Sequence, residues 1–126
     1  MKLILAIIRI RKMNDTKKAL SEANLPSFTA MGVLGRGSQR GFGQSYQEVV
    51  NDPEIKMIMQ EAEANHRLKA KRMITLVVTD DKKDLAIETI IKTNRTNNSG
   101  DGRIFVLEAL DSISVRTGAK GDLTLD

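Results

Sequence analysis

Short aliphatic runs alternate along the chain with polar segments, and the runs indicate strands. Residues 2–9 (KLILAIIR) and 72–79 (RMITLVVT) are continuous and rich in aliphatic side chains, as is typical of buried strands. Residues 27–34 and 103–107 predict two further strands, and residues 113–116 predict a short fifth one. The hydrophobic pattern therefore predicts a small sheet built from separate parts of the chain.

Two polar segments between these runs have the pattern of amphipathic helices. Asn14 or Asp15 can cap the first by accepting hydrogen bonds from its first-turn amides, and an Asn-Leu-Pro tripeptide ends it. Asp80 or Asp81 can cap the second, which continues through Asn94. Four apolar residues share one side of the second helix and are expected to face the core: Ala86, Ile87, Ile90 and Ile91.

The resulting order is β-α-β, a long connection, and β-α-β. This order predicts an α+β fold, a ferredoxin-like βαβ-βαβ sandwich whose helices cover one face of the sheet. By strand alternation Ile7 and Val77 lie on the other face, which is too apolar to remain in water. We therefore expect a single domain over residues 1–126 that associates with itself.

The connection between the two halves is the least regular part of the chain. Residues 35–43 contain four glycines, and a polar stretch follows them. Residues 52–54 (DPE) resemble a helix start, and apolar residues follow at helical spacing: Ile55, Ile58 and Met59. We predict a short helix within a long excursion, and a mobile, polar tail over residues 117–126.

Composition and charge narrow the function classes. The chain has no cysteine, and its one histidine, His66, lies in a polar segment, so we do not expect an enzyme or a thiolate metal site. No apolar run approaches the ~20 residues of a membrane span, which predicts a cytoplasmic protein without membrane insertion. The net charge of +4 favours an anionic partner. Because aromatic residues make up 3% of the chain, a nucleic-acid-binding module is the weaker alternative.

Several glycine-rich or basic segments could hold an anion. Residues 35–41 (GRGSQRG) follow a predicted strand, but their spacing fits neither a dinucleotide fingerprint nor a Walker A loop. Residues 100–103 (GDGR) run directly into a strand, Arg116 lies at the end of another, and residues 69–72 (KAKR) could neutralise a carboxylate or phosphate. Taken singly, these segments are also compatible with a flexible basic loop, a tight turn and solvated cations.

In combination, these motifs resemble those of the PII nitrogen-regulatory signal-transduction family over almost the whole chain. The resemblance is carried by the opening LILAIIR, by GRGSQRG, and by SGDGRIFV followed by VRTG. It implies a trimer of ferredoxin-like subunits, each with a long projecting segment, the T-loop, which here spans residues 36–70. It also implies that ATP or ADP binds in the clefts between subunits, and that 2-oxoglutarate binds with MgATP at the base of the T-loop.

The resemblance also assigns site residues by position. Those expected to line the nucleotide cleft are Gly35, Gly37 and Ser38, and those expected to contact the base or the cleft wall are Ile7, Thr29 and Val77. Gln39 is expected to coordinate Mg²⁺ through its side-chain carbonyl. The effector carboxylate is expected to meet the amides around Arg40 and Gly41 and the ammonium of Lys71. The residues expected to hold phosphates are Gly100, Asp101, Gly102, Arg103 and Arg116.

Two positions depart from the family pattern. Ser38 stands where many PII proteins have an arginine, and Ser114 stands where they often have a second phosphate-binding arginine. We expect each lost charge-assisted contact to weaken nucleotide binding by about 1.5–3 kcal/mol. Tyr46 is the one tyrosine and does not occupy the usual uridylylation position, so we do not expect that modification.

The long T-loop, VLGRGSQRG and LKAKRMITLVV resemble the nitrogenase-associated PII proteins of methanogens and some anaerobic bacteria. These occur as two adjacent paralogues, and the longer T-loop resembles the second. The resemblance implies a homotrimer or a mixed oligomer with a paralogue that inhibits nitrogenase through the T-loop, with relief by 2-oxoglutarate and ATP. A general PII regulator of an ammonium transporter or of glutamine synthetase is the alternative within the family.

Overall fold

The computed structural model of the protein describes residues 1–37 and 68–126. Its strands are β1 (Lys2–Ile8), β2 (Thr29–Gly35), β3 (Lys69–Val78) and β4 (Arg103–Glu108). Its helices are α1 (Met13–Glu22) and α2 (Lys83–Asn94), and short 3-10 turns span Ile10–Lys12, Asp80–Lys82 and Asp122–Thr124. By compactness the chain divides into a larger unit, Met1–Gly32 with Lys71–Asp126, and a smaller one, Val33–Ala70.

The four strands form one sheet in the order β2-β3-β1-β4. β1 is antiparallel to both of its neighbours, and the register places Ile7 opposite Met73 on one side and opposite Arg103 on the other. Two β-α-β halves interleaved in one antiparallel sheet make a ferredoxin-like α+β fold. The predicted fold class is therefore confirmed.

The two β-turn-α segments of the larger unit are structural duplicates of each other. Fully buried positions recur with a spacing of 70 residues: Ile4 with Ile74, Ala6 with Leu76, Ile8 with Val78, Thr16 with Ala86, and Leu20 with Ile90. Strand residues at alternate positions and helix residues four apart supply the core from each half. The prediction that the second helix turns its apolar side inward is confirmed for Ala86, Ile87 and Ile90, of which Ala86 and Ile90 are buried and Ile87 packs against the core. Ile91 is only partly buried and is not part of the core cluster.

A polar contact joins the two helices inside this core. The Thr16 hydroxyl donates to the Lys12 carbonyl at 2.7 Å and accepts from Asn94 Nδ2 at 3.0 Å. Asn94 Nδ2 also donates to the Ile90 carbonyl at 2.9 Å. Both side chains are buried, with 0% and 5% exposure, so each hydrogen bond replaces water that cannot reach these atoms.

The helix starts differ from the sequence prediction. Neither helix has a side-chain cap, because each begins from a 3-10 turn whose own hydrogen bonds supply the entry. Lys12 and Lys82 donate from their amides to the carbonyls of Arg9 and Thr79, at 3.1 and 3.0 Å. The predicted caps at 14–15 and 80–81 were therefore wrong.

The predicted end of α1 is confirmed. Asn24 takes a left-handed φ of 60°, and the amide of the buried Leu25 donates to the Leu20 carbonyl at 2.9 Å. This is the hydrogen-bond pattern that closes many helices, and asparagine tolerates its backbone conformation better than most residues. The proline that follows cannot extend the helix.

The C-terminal segment also differs from its prediction. In place of a fifth strand there is an isolated bridge between Ile113 and Lys120. In place of a mobile tail, Asp126 Oδ2 accepts from the Ser27 amide at 2.9 Å, and the Asp126 carbonyl accepts from Lys82 Nζ at 2.7 Å. These long-range contacts anchor a segment whose polar composition suggested disorder. The predicted short helix at 52–59 lies outside the described residues.

The face of the sheet opposite the helices remains largely apolar. Register partners point to the same side, so Ile7 with Met73, Leu5 with Phe105, and Leu3 with Val77 share this outer face. Phe105 and Leu107 are about half exposed, at 48% and 47%. Beyond β4, Leu110 and Val115 are fully exposed. Apolar side chains exposed together on one face favour an interaction site.

Within the described ranges, no helix is long and apolar enough to cross a membrane.

We predict that Thr16→Val will lower the free energy of unfolding by about 1–3 kcal/mol, because Asn94 Nδ2 loses a buried acceptor and the Lys12 carbonyl loses a donor. Urea denaturation followed by circular dichroism measures this. The matched control is Thr89→Val, which removes a similar intrahelical bond to Leu85 without a cross-helix partner and should change stability by less than about 0.5 kcal/mol. Equal losses in the two variants would contradict the role given to the cross-helix bond.

Candidate functional site

Antiparallel pairing brings three strand ends of the larger unit to one end of the sheet. β1 finishes where β4 begins and where β3 enters, with Ile7 opposite Arg103 and Ile8 opposite Arg72. Alternation then places Ile7, Lys71 and Arg103 on the same outer face. Residues separated by more than sixty positions in sequence thus share one corner of the sheet, which we term the sheet corner.

A tight turn over residues 96–102 leads into β4 at this sheet corner, and the Asp101 carboxylate holds it. Asp101 Oδ2 accepts from the amides of Thr96 at 2.7 Å and Asn97 at 3.0 Å, and its Oδ1 accepts from the Thr96 hydroxyl. Arg9 NH1 donates to the same Oδ1 at 2.5 Å. The hydrogen bonds from Thr96, followed by those from Arg9, hold the pKa of Asp101 well below its usual range. Asp101 is thus an ionised structural centre of the turn.

Two cations, Arg9 and Lys71, stabilise the backbone of this turn. Arg9 NH2 donates to the Ser99 carbonyl at 2.9 Å, and Lys71 Nζ donates to the Gly100 carbonyl at 3.2 Å. Arg9 was missed by the sequence analysis, since its contact with Asp101 spans 92 residues and no local motif announces it. The available signal was a basic residue at the end of β1 in a fold that brings that end to the GDGR segment.

Gly102 is required by a close backbone approach. Its φ is +125°, and a Cβ built there would lie 2.1 Å from the Ile7 carbonyl oxygen. A side chain at this position therefore cannot be accommodated without moving β4 away from β1. The glycine allows the turn to meet the sheet edge directly.

The electrostatics of the sheet corner favour an anion. Lys71 and Arg103 contribute positive charge on the outer face, and the one acidic side chain of the turn, Asp101, is already paired with Arg9. Backbone amides presented by a glycine-containing turn beside cations are a common setting for phosphate or carboxylate binding. Within residues 1–37 and 68–126 there is no group of three or more acidic or histidine side chains suited to a metal ion.

The predicted site residues divide into four sets. The structure brings together six of them at the sheet corner: Ile7, Lys71, Gly100, Asp101, Gly102 and Arg103. Val77 lies on the outer face away from this corner, Thr29 begins β2 and is exposed, and Arg116 is exposed without a hydrogen bond or ion pair to the described residues. Gly35 and Gly37 belong to the smaller unit, and both have open space where a side chain would begin. Outside the described residues lie Ser38, Gln39, Arg40 and Gly41.

A cavity of about 410 Å³ opens between α2 and β4, close to the turn. Its walls are mainly aliphatic, with Ile87, Ile90 and Ile91 from the helix and Ile104 from the strand. An apolar cavity is poorly suited to a phosphate, which needs donors and positive charge. The cavity also reaches Asp101, Gly102 and Arg103, so its apolar walls adjoin the cationic groups of the sheet corner.

Fold and sheet corner together define a ferredoxin-like domain with a preorganised, cationic turn suited to an anionic ligand. The family model described as nitrogen regulatory protein P-II matches residues 1–119. The chain belongs to this family, as the sequence motifs predicted.

Individual relatives support a narrower similarity. The chain is 39% identical over 122 residues to the "Nitrogen fixation nifHD region GlnB-like protein 2" of Methanobacterium ivanovii, with 97% of each chain covered. It is 38% identical over 131 residues to the protein of that name in Methanococcus maripaludis, covering 99% of this chain and 100% of the relative. It is 35% identical over 125 residues to the "Nitrogen regulatory protein P-II" of Klebsiella oxytoca, covering 99% and 100%. The predicted resemblance to the second, nitrogenase-associated paralogue is confirmed at this level of similarity.

We predict that Gly102→Ala will destabilise the protein by about 2–5 kcal/mol, because it adds both a strained φ and a collision with the Ile7 carbonyl. The matched control is Gly118→Ala, where φ is +74° but no atom lies within 4 Å of the added Cβ. The control should cost about 1–2 kcal/mol from backbone strain alone. Thermal and urea denaturation of the two variants would separate strain from collision, and equal costs would contradict the close approach.

We also predict a pH signature for Asp101. Because its folded pKa is depressed, the carboxylate stabilises the fold fully above the ordinary aspartate pKa of about 3.9 and loses that contribution as the pH falls. The difference in melting temperature between wild type and Asp101→Asn should therefore be large at neutral pH and shrink below about pH 4. The control is Asp81→Asn, at an exposed side chain, which should follow wild type throughout. A difference that stays constant with pH would refute the ionised role.

Proposed function

We propose that this protein is a trimeric PII-type regulator, and not an enzyme, that senses adenine nucleotides and 2-oxoglutarate and controls nitrogen fixation through its T-loop. The observation that supports it most is the sheet corner, where the turn over residues 96–102 meets Lys71 and Arg103. A rigid, glycine-containing turn with adjacent cations suits the phosphates of a nucleotide. Family membership and the names of the relatives supply the nitrogen context.

In this proposal the nucleotide phosphates lie against the amides of residues 100–102 and the guanidinium of Arg103. Because Asp101 is neutralised by Arg9, the carboxylate does not oppose the phosphates strongly. The base contacts the apolar outer face, where Ile7 and Val77 have the appropriate chemistry. Arg116, whose side chain is exposed, joins this turn in holding the phosphates across a subunit interface.

The proposed trimer follows from the apolar outer face. Phe105 and Leu107 from the sheet, with Ile113 and Val115 beyond it, expose hydrophobic side chains that a monomer would leave in water. A closed ring of identical subunits buries such a face and places β4 of one subunit close to another, which creates the clefts that the nucleotide requires. A mixed ring with a paralogue would use the same face.

The proposed effector site rests on Lys71. Its ammonium lies at the sheet corner, where it donates to the Gly100 carbonyl, and the chain between β2 and β3 starts and ends close in sequence to the predicted ligands. The Mg²⁺ ligand Gln39 and the amides near Arg40 and Gly41 would complete the site for MgATP and 2-oxoglutarate. Ligands that bind the two ends of one long segment unequally in its different conformations change which conformation is populated. That coupling is the proposed signal.

The proposed target is nitrogenase, because several relatives are named for the nifHD region. The alternative target, an ammonium transporter or glutamine synthetase, uses the same sensing mechanism and differs in the partner of the T-loop. A pull-down with nitrogenase components, with and without 2-oxoglutarate and ATP, distinguishes the two.

We predict that MgATP will bind to the wild type by isothermal titration calorimetry, and that 2-oxoglutarate will bind only after MgATP. Arg103→Ala should weaken ATP by about 10–100-fold, the loss of one charge-assisted contact. Lys71→Ala should abolish 2-oxoglutarate binding while affecting ATP less. The matched control is Lys92→Ala, an exposed lysine on α2 that should leave both affinities unchanged.

Two outcomes would refute the proposal. One is a protein that ignores adenine nucleotides at millimolar concentration or is monomeric by light scattering. The other is 2-oxoglutarate binding that is equally tight without MgATP and insensitive to Lys71→Ala.

A further inference from the structure

Arg9 connects the end of β1 to the turn over residues 96–102 with three hydrogen bonds. Its guanidinium reaches the Asp101 carboxylate at 2.5 Å, the Ser99 carbonyl at 2.9 Å and the Thr96 hydroxyl at 3.4 Å. The Arg9 and Asp101 side chains are mostly buried, with 18% and 24% exposure. A planar fork with several fixed donors can satisfy carboxylate and carbonyl at once, which a lysine cannot do.

The fold itself does not require an arginine at this position. The duplicated half of the larger unit has Thr79 where the first half has Arg9, and both residues precede equivalent 3-10 turns. Both also accept, through their carbonyls, the amide hydrogen bond that starts the helix entry. Since a threonine is sufficient for the fold at the equivalent position, we attribute the arginine side chain to its contacts with the turn.

The turn needs both shape and charge compensation. Asn97, Gly100 and Gly102 all have positive φ, at 65°, 92° and 125°, which glycine and asparagine tolerate better than other residues. The hydrogen bonds to Asp101 then fix this one conformation of the turn. Asp101 supplies those bonds, but it also places a negative charge inside a segment that is to receive an anion. An uncompensated carboxylate there would repel a phosphate.

We propose that Arg9 is a positioning residue of the nucleotide site: it locks the turn over residues 96–102 before ligand arrives and neutralises Asp101, so that the turn can accept polyphosphate. This inference rests on the proposed nucleotide binding. In this proposal Arg9 acts through the turn and not on the ligand, since its NH1 and NH2 groups donate to Asp101, Ser99 and Thr96. Lys71 supports the turn through Gly100 but, in the proposed function, must also serve the effector, whereas Arg9 remains with the turn.

The test uses calorimetry on the full-length protein. It measures how substitutions of Arg9 and Asp101 change the affinity for ligands of increasing charge. Arg9→Met should weaken ATP by about 10–100-fold, ADP by less, and adenosine very little, because the penalty comes from an exposed negative charge facing phosphates. Arg9→Met/Asp101→Asn should bind ATP more tightly than Arg9→Met, since the unpaired carboxylate is gone. Arg9→Lys should lie between wild type and Arg9→Met. The matched control is Arg11→Met, an exposed arginine in the adjacent 3-10 turn, which should behave as wild type.

Each failure has a separate meaning. If wild type binds no adenine nucleotide, the proposed function itself is wrong. If wild type binds ATP and Arg9→Met binds it equally well, the positioning role of Arg9 is overturned. It is also overturned if Arg9→Met loses ATP and adenosine binding to the same extent. The same holds if the double variant is no better than the single one. Circular dichroism checks folding, and if Arg9→Met does not fold, the comparison of Arg9→Lys with wild type across the three ligands decides.

Discussion

Everything at the sheet corner depends on β1 being the central antiparallel partner of both β3 and β4. That pairing fixes Ile7 against Arg103 and Ile8 against Arg72, and a shift of one residue would send each side chain to the opposite face. Register is secured from the helix side, where Ile4, Ala6 and Ile8 are buried in the core. The packing of one face thus determines which residues can act on the other.

The duplicated β-turn-α unit shows at which positions the two halves of the chain are alike and at which they differ. The buried positions of the two halves correspond closely, because each half must fill the same core under the same sheet. Two equivalent pairs differ in chemistry: Arg9 corresponds to Thr79, and the buried Thr16 corresponds to Ala86. Arg9 contacts the turn before β4, and Thr16 accepts the hydrogen bond from Asn94. The first half therefore departs from the second where one of its side chains makes a polar contact.

Much of the fold was accessible from the sequence because strand and helix signals are local. The aliphatic runs of β1 and β3 and the inward side of α2 could be read from periodicity, and their order limited the topology to very few choices. The helix caps were predicted wrongly. Each helix is entered from a 3-10 turn that is closed by the amide of Lys12 or Lys82, and no side-chain oxygen is needed. The anchored C-terminus was missed for another reason: Asp126 contacts Ser27 and Lys82, and composition carries no information about such distant partners.

The candidate site shows the same division between local and distant information. The GDGR motif marked the turn, but it could not show that Asp101 is committed to Thr96, Asn97 and Arg9. The Asp101 charge has an electrostatic cost, because it lies where an anion is expected. Its hydrogen bonds in return make a turn with three positive φ values rigid. A preorganised site loses less entropy on binding than one that must be ordered by its ligand. Arg9, which directly follows β1, offsets the acid, so rigidity and positive potential coexist. Only the folded sheet can bring that cation to the turn.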